Sequence, residues 1–121
     1  MRSYVVLGTN RFEAMVSFYG ERLGFPEADR WDQAGGRGVF FALPGLLLKI
    51  VDNDRERNPL MLGASLDRVG LVIDVENIDE VRDLLDIETP IPQTASWGAR
   101  LFQLRDPDGL PVTFQQRTAQ H

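Results

Sequence analysis

The chain contains no cysteine, so disulfides, thiolate zinc sites and a cysteine nucleophile are excluded by composition. It contains one histidine, His121, the last residue, so a site that needs two or three imidazoles cannot be assembled from this sequence. Long apolar runs are missing too. The longest, Leu46-Leu47-Leu48 continuing as Ile50-Val51, is broken by Lys49 and falls far short of the roughly 20 residues a membrane-spanning helix needs. There is no excess of positive charge. Thirteen Lys and Arg stand against 18 Asp and Glu, a formal net charge of −5, which recommends neither nucleic acid nor an anionic membrane as partner. Met1-Arg2-Ser3-Tyr4 enters strand-like sequence without the apolar core of a signal peptide, and the expected address is cytoplasmic.

What is present is the composition of a folded domain. With 121 residues, of which 43% are apolar, the chain is long enough to bury a core without staples, and one domain over 1–121 is expected. Tyr4-Val5-Val6-Leu7 is short and β-prone, and Gly8-Thr9-Asn10 ends it with turn chemistry. Asn10 is a candidate N-cap for a helix in which Phe12, Met15, Val16, Tyr19 and Leu23 recur at helical spacing, with Gly24 as its C-cap glycine. Strands are expected around Ala28–Asp32, Gly38–Leu43 and Leu46–Val51, separated by turns at Gly35-Gly36 and Pro44-Gly45.

A polar stretch, Asn53-Asp54-Arg55-Glu56-Arg57-Asn58-Pro59, reads as a linker over about 55–65, and the same order then returns. Val69–Val75 is strand-like, and Ile78, Val81, Leu84 and Leu85 mark a helix opened by Asn77. A weak strand near Ile87–Gln93 contains Pro90 and Pro92, which suit only an edge. Arg100–Arg105 and Val112–Gln116 complete the set around the turn Asp106-Pro107-Asp108-Gly109. The expectation is α+β: two βαβββ modules, one over about 1–54 and one over about 66–117.

Two motifs carry a family resemblance: Phe18-Tyr19 with Leu23-Gly24-Phe25 near the start, and Trp97-Gly98 with Asp106-Pro107-Asp108-Gly109 near the end. Together they resemble the vicinal oxygen chelate superfamily, which includes glyoxalase I, extradiol dioxygenases, fosfomycin-resistance enzymes and bleomycin-binding proteins. The resemblance implies that the strands curl into a half-open cup, with helices outside and a ligand within. It also implies four cup-facing positions that hold a metal through His, Gln and Glu in the enzymes. Carried over one by one, they fall on Tyr4, Lys49, Arg68 or Gly70, and Thr113. Lysine and arginine have no lone pair to offer a cation at neutral pH. A register slip to either side adds only Asp67, and one carboxylate is not a site.

The expected function is therefore a small-molecule-binding protein of the glyoxalase/bleomycin-resistance type, without metal or other cofactor, and a homodimer as its relatives commonly are. Its ligand is expected to be aromatic or acidic, since aromatic walls suit flat molecules and inward-facing Lys49 and Arg68 suit an anion. The candidate ligand-binding residues are Tyr4, Trp31, Lys49, Arg68, Trp97, Arg100, Phe102 and Thr113. Lys49 stands out as a lone ammonium in an apolar strand, which must reach the strand end, pair with an acid, or face a wet pocket. Trp31 stands out as a large apolar side chain among charges. Two other readings stay open: a metal-dependent lyase or dioxygenase drawing on Asp52, Asp67, Glu76 or His121, and a metal-free isomerase or lyase using Tyr4 and Lys49.

Overall fold

Alternation of side chains along short β-prone runs produces, among the described residues, eight strands, β1 Tyr4–Thr9, β2 Glu27–Gln33, β3 Gly36–Leu43, β4 Leu46–Asp52, β5 Leu71–Asp74, β6 Gln93–Thr94, β7 Arg100–Arg105 and β8 Pro111–Gln116. Helix α1 spans Phe12–Val16 and α2 Ile78–Leu84 in this computed structural model, which describes residues 3–56, 69–85, 88–95 and 98–117. The chain divides into two units, Met1–Ala64 and Ser65–His121. Each is one βαβββ module, so the α+β class and the doubled order expected from the sequence are what the chain adopts. No helix among the described residues is long and apolar enough to cross a membrane.

In the first unit the strand order is β1-β4-β3-β2, with β1 parallel to β4 and the remaining pairs antiparallel. Strand alternation divides the sheet into two faces. One face carries Leu48 and Ile50 from β4 with Val39 and Phe41 from β3, all four without solvent exposure, and the helix packs here. Tyr19 meets Phe41 with ring centroids 6.3 Å apart, and a Cβ at Gly20 would lie 3.1 Å from the Phe41 ring, so glycine permits the close approach. The opposite face carries Tyr4 and Val6, Leu47 and Lys49, Gly38 and Phe40, and Asp29 and Trp31.

The helix itself departs from expectation. Regular α geometry stops at Val16 and a π-helical segment, Ser17–Arg22, follows, closed by a Leu23 N–H to Phe18 carbonyl bond of 2.9 Å. The adjacent Phe18 and Tyr19 in this segment are both buried, at 6% and 0% exposure. Asn10 is not the cap. Arg11 occupies that position with no capping bond from its side chain, and Thr9, buried at the end of β1, accepts the Arg11 N–H through Oγ1 at 2.9 Å. Gly24 does end the helix, at φ +77°, where a side chain would be strained.

The second unit repeats the plan with order β5-β8-β7-β6, β5 again parallel to β8. Asn77 caps α2 as expected, its side chain accepting the Glu80 N–H at 3.2 Å. Ile78 is fully buried, and its N–H donates to Gln116 Oε1 at 2.9 Å, which ties the start of α2 to the end of β8. The weak strand shrinks to Gln93–Thr94, directly after Pro92, because proline cannot donate to a ladder. The turn after β7 is built on buried Asp106, whose Oδ1 accepts the N–H groups of Asp108 and Leu110, both at 2.9 Å, while Gly109 takes φ +93°.

Two acids have roles the sequence does not suggest. Asp52 ends β4 with 3% exposure and accepts the Arg37 Nε–H at 2.6 Å, with the Arg37 guanidinium 4.5 Å from the centre of the Phe12 ring. Asp79 of α2 accepts from Arg100 through both carboxylate oxygens, at 2.6 and 3.3 Å, so Arg100 pairs with the helix.

Candidate functional site

The sheet face turned away from α1 gathers three aromatic rings around one amine. Strand register does the gathering. Lys49 on β4 stands beside Val6 of β1 and Phe40 of β3, Tyr4 lies two residues along β1 on the same side, and Trp31 of β2 is in register with Gly38 of β3. The Lys49 Nζ lies 5.0 Å from the centre of the Trp31 ring, 5.6 Å from Phe40 and 5.7 Å from Tyr4. Phe40 is the floor, meeting Tyr4 edge-on at 5.1 Å and Trp31 at 5.8 Å, and it is 8% exposed. Tyr4 is 40% exposed and forms an outer wall.

An ammonium over an aromatic face gains about 0.5–1 kcal/mol at an exposed site and about 2 when desolvated. That attraction explains how a half-buried lysine is tolerated in an otherwise apolar strand. Among the described residues no carboxylate reaches ion-pair distance of Lys49. Asp29 shares the face, in register with Phe40, but turns Oδ1 to the Arg30 N–H at 2.8 Å. The arrangement offers a positive charge, hydrogen-bond donors and flat apolar surface in one place.

In the second unit, Thr113 on β8 is in register with Val72 of β5 and Gln103 of β7, as Lys49 is with Val6 and Phe40. Where the first unit has lysine and phenylalanine, the second has threonine and glutamine, joined by a Gln103 Nε2–H to Thr113 Oγ1 bond of 3.1 Å. Phe102 lies on the other side of β7. It is 2% exposed and stacked on Phe114 at 5.3 Å, in register with it and on the face that carries Arg100 and Gln116, the side chains bonded to α2. So Tyr4, Trp31 and Lys49 are brought together, Thr113 stands on the corresponding face of the second unit, and Phe102 and Arg100 take the helix side of their sheet. Arg68 and Trp97 lie outside the described residues. Phe40 was not expected at the site. Its signal is the adjacent pair Phe40-Phe41, which a strand must split between its two faces.

A separate depression of about 350 Å³ lies by the start of α1, lined by Arg11, Phe12, Glu13, Arg37, Asp52 and Asp54 among others. Its charges already serve one another: Asp52 takes the Arg37 Nε–H and the Asp54 N–H, and Glu13 stands 3.9 Å from Arg37. The Asp52 hydrogen bond holds the Arg37 guanidinium more firmly protonated than usual, against some loss of solvation. This is a clamp between β3, β4 and α1, and we place the candidate site on the aromatic face instead.

Residues 2–114 of the chain match the model of the Glyoxalase/Bleomycin resistance protein/Dioxygenase superfamily. The chain belongs to this superfamily. Solved structures agree on the fold. A glyoxalase family protein from Enterococcus faecalis is 26% identical, covering 95% of this chain and 96% of its own, with a TM-score of 0.68. TnmS3, an antibiotic binding protein from Streptomyces sp. CB03234, is 20% identical over 98% of both chains at 0.67. A lactoylglutathione lyase from Agrobacterium tumefaciens is 18% identical over 96% of this chain and 92% of its own, also at 0.67. At such identities the last two speak for the fold alone. No match is found among curated proteins.

The superfamily's enzymes imply a metal, and the residues here do not fit one. At the metal positions the resemblance implies, the described residues are Tyr4, Lys49 and Thr113, and a lysine beside the ion would repel it. Among the described residues no group of three His, Cys, Asp or Glu side chains comes together.

Proposed function

We infer that this superfamily member is a small-molecule-binding protein which works without a metal and holds an aromatic or acidic ligand against the Tyr4, Trp31, Phe40 and Lys49 face. The single observation that carries this reading is the Lys49 ammonium within 6 Å of three ring centres, at 5.0, 5.6 and 5.7 Å, with no acid partner among the described residues. A ligand anion completes the missing ion pair, and its flat body packs on the rings, which lose little conformational entropy on binding. The superfamily's description includes bleomycin resistance proteins, which supports the class of function, and no relative's ligand is carried over. Thr113 of the second unit stays a proposed ligand contact, and a homodimeric state and a cytoplasmic setting belong to the same reading.

The test is a charge-matched pair of probes, 2-naphthoate and (2-naphthyl)trimethylammonium, titrated by calorimetry, with native mass spectrometry on the purified protein. Binding of the acid and not of the cation, by a dimer without stoichiometric metal, is the expected result. One divalent ion per subunit, or preference for the cation, sinks the proposal.

A further inference from the structure

Trp31 and Lys49 are not on neighbouring strands. β3 lies between β2 and β4, and two inter-strand spacings of about 4.8 Å separate the Trp31 and Lys49 backbones by roughly 10 Å across the sheet. Side chains on a strand ordinarily stand perpendicular to the sheet. An indole standing upright on β2 would leave the amine beyond reach, yet the ring centre is 5.0 Å from Lys49 Nζ. The indole must therefore lie down across β3.

The residue it crosses is Gly38, its register partner. A Cβ on Gly38 would fall inside the van der Waals envelope of Trp31 Cζ2 and Cη2, and 2.7 Å from the Ile50 carbonyl oxygen. Every other residue type carries that Cβ. The remaining β2 side chains are exposed, so nothing else on that edge strand holds the ring in place.

We propose that Gly38 is the positioning residue that makes this site aromatic-selective: its bare Cα is the seat on which Trp31 lies, and the seated indole reserves the space beside Lys49 for flat aryl carboxylates over alkyl ones. The proposal rests on the binding reading above and assigns its specificity. Gly38 touches no ligand and acts only through Trp31. Cross-strand pairing of an aromatic with glycine also protects the glycine backbone, and a purely structural pairing of that kind changes stability without changing which acid is preferred.

The experiment compares 2-naphthoate with decanoate on the wild type, Gly38→Ala, Trp31→Ala and the double variant. Gly38→Ala is expected to weaken naphthoate about tenfold and decanoate less than about twofold; once Trp31 is alanine the selective loss disappears, and what remains, from the Ile50 carbonyl oxygen 2.7 Å from the new Cβ, falls on both acids alike. Equal weakening of both acids in the wild-type background, or a naphthoate-selective loss that persists without Trp31, overturns the proposal. A second measurement covers a Gly38→Ala chain that does not fold. In the wild-type protein the Gly38 α-protons carry an upfield ring-current shift in the NMR spectrum, which disappears in Trp31→Ala; absence of that shift also overturns the proposal. If the wild type binds neither acid, the binding reading and the specificity role fall together, while the ring-current shift still decides whether Trp31 is seated on Gly38.

Discussion

Replacing Lys49 by methionine separates the ligand-binding role of the amine from its place in the fold. An ammonium about 4 Å from a ligand carboxylate attracts it by about 4 kcal/mol at an effective dielectric near 20. Desolvation and side-chain ordering reduce this to the roughly 1.5–3 kcal/mol measured for hydrogen bonds to charged groups. At about 1.4 kcal/mol per decade, Lys49→Met weakens 2-naphthoate by about 10- to 100-fold. For the fold the terms nearly cancel. The variant loses cation–π contacts of about 0.5–1 kcal/mol each, which share one charge and do not add in full. It also loses the cost of keeping a half-buried ammonium, and the methionine fills the same space against Tyr4, Trp31 and Phe40. A net change within about 1 kcal/mol moves the melting temperature by no more than about 5 °C. The charge preference inverts, because an aromatic cage without its own cation accepts a foreign one. Calorimetric titration of both naphthyl probes at low and high salt reads all of this: wild-type affinity for the acid falls with salt, and that of the variant does not. Unchanged naphthoate affinity, or equal loss for both probes, refutes the reasoning.

Other substitutions test the neighbouring assignments. Phe102→Ala opens a cavity against Phe114 and costs about 3 kcal/mol or more, roughly 10 °C in melting temperature, without altering naphthoate affinity at temperatures where the variant is folded; a binding defect there returns Phe102 to the site. Asp52→Asn keeps an oxygen for the Asp54 N–H only by turning its amide NH2 toward the Arg37 Nε–H, donor against donor, so the charge-assisted bond to Arg37 is lost. Chemical denaturation should show a loss of about 1–2 kcal/mol, and no loss would mean that the clamp holds nothing. Asp74 on β5 is held below the ordinary carboxylate range by its hydrogen bonds to Arg117 and then Gln115. A depressed folded-state pKa gives stability that is fully present above the ordinary carboxylate value and is lost as pH falls through the lower folded value. In thermal melts between neutral and strongly acid pH, Asp74→Asn should decline less than the wild type, and parallel curves would remove the linkage.

Much of the fold could be read from local chemistry, because each element carries its own signal. β3 and β4 announce themselves as apolar runs bounded by Pro44-Gly45, and Gly45 indeed takes φ +72°. Asn77 opens α2 as its position before Ile78 suggests. Lys49 and Trp31 could be picked out because each contradicts its surroundings. What stayed hidden depends on partners distant in sequence. The opposite directions of Phe102 and Thr113 follow from the pairing of β7 with β8, Phe102 with Phe114 and Gln103 with Thr113, and no local pattern fixes that register. The bond from Asp52 to Arg37 crosses from β4 to β3, and the change from α to π geometry after Val16 has no signature in the spacing of apolar residues. Phe40 was hidden in plain sight, since strand alternation shows that Phe40 and Phe41 separate without showing which of them meets the helix.

The parallel pairing of β1 with β4 sets the order in which this surface can come into being. β2, β3 and β4 are joined by short turns and can zip together as consecutive antiparallel neighbours, but β1 must return past α1 and both hairpins to lie beside Lys49. Closing so long a loop is the slowest kind of contact to make, since its entropy must be lost before the pairing gives anything back. Tyr4 is therefore the last wall to arrive and the first to leave. A ligand touching both Tyr4 and Lys49 would act as a latch across that seam and lengthen the lifetime of the folded module by slowing its opening, and the same seam would mark where proteases first find the unliganded chain.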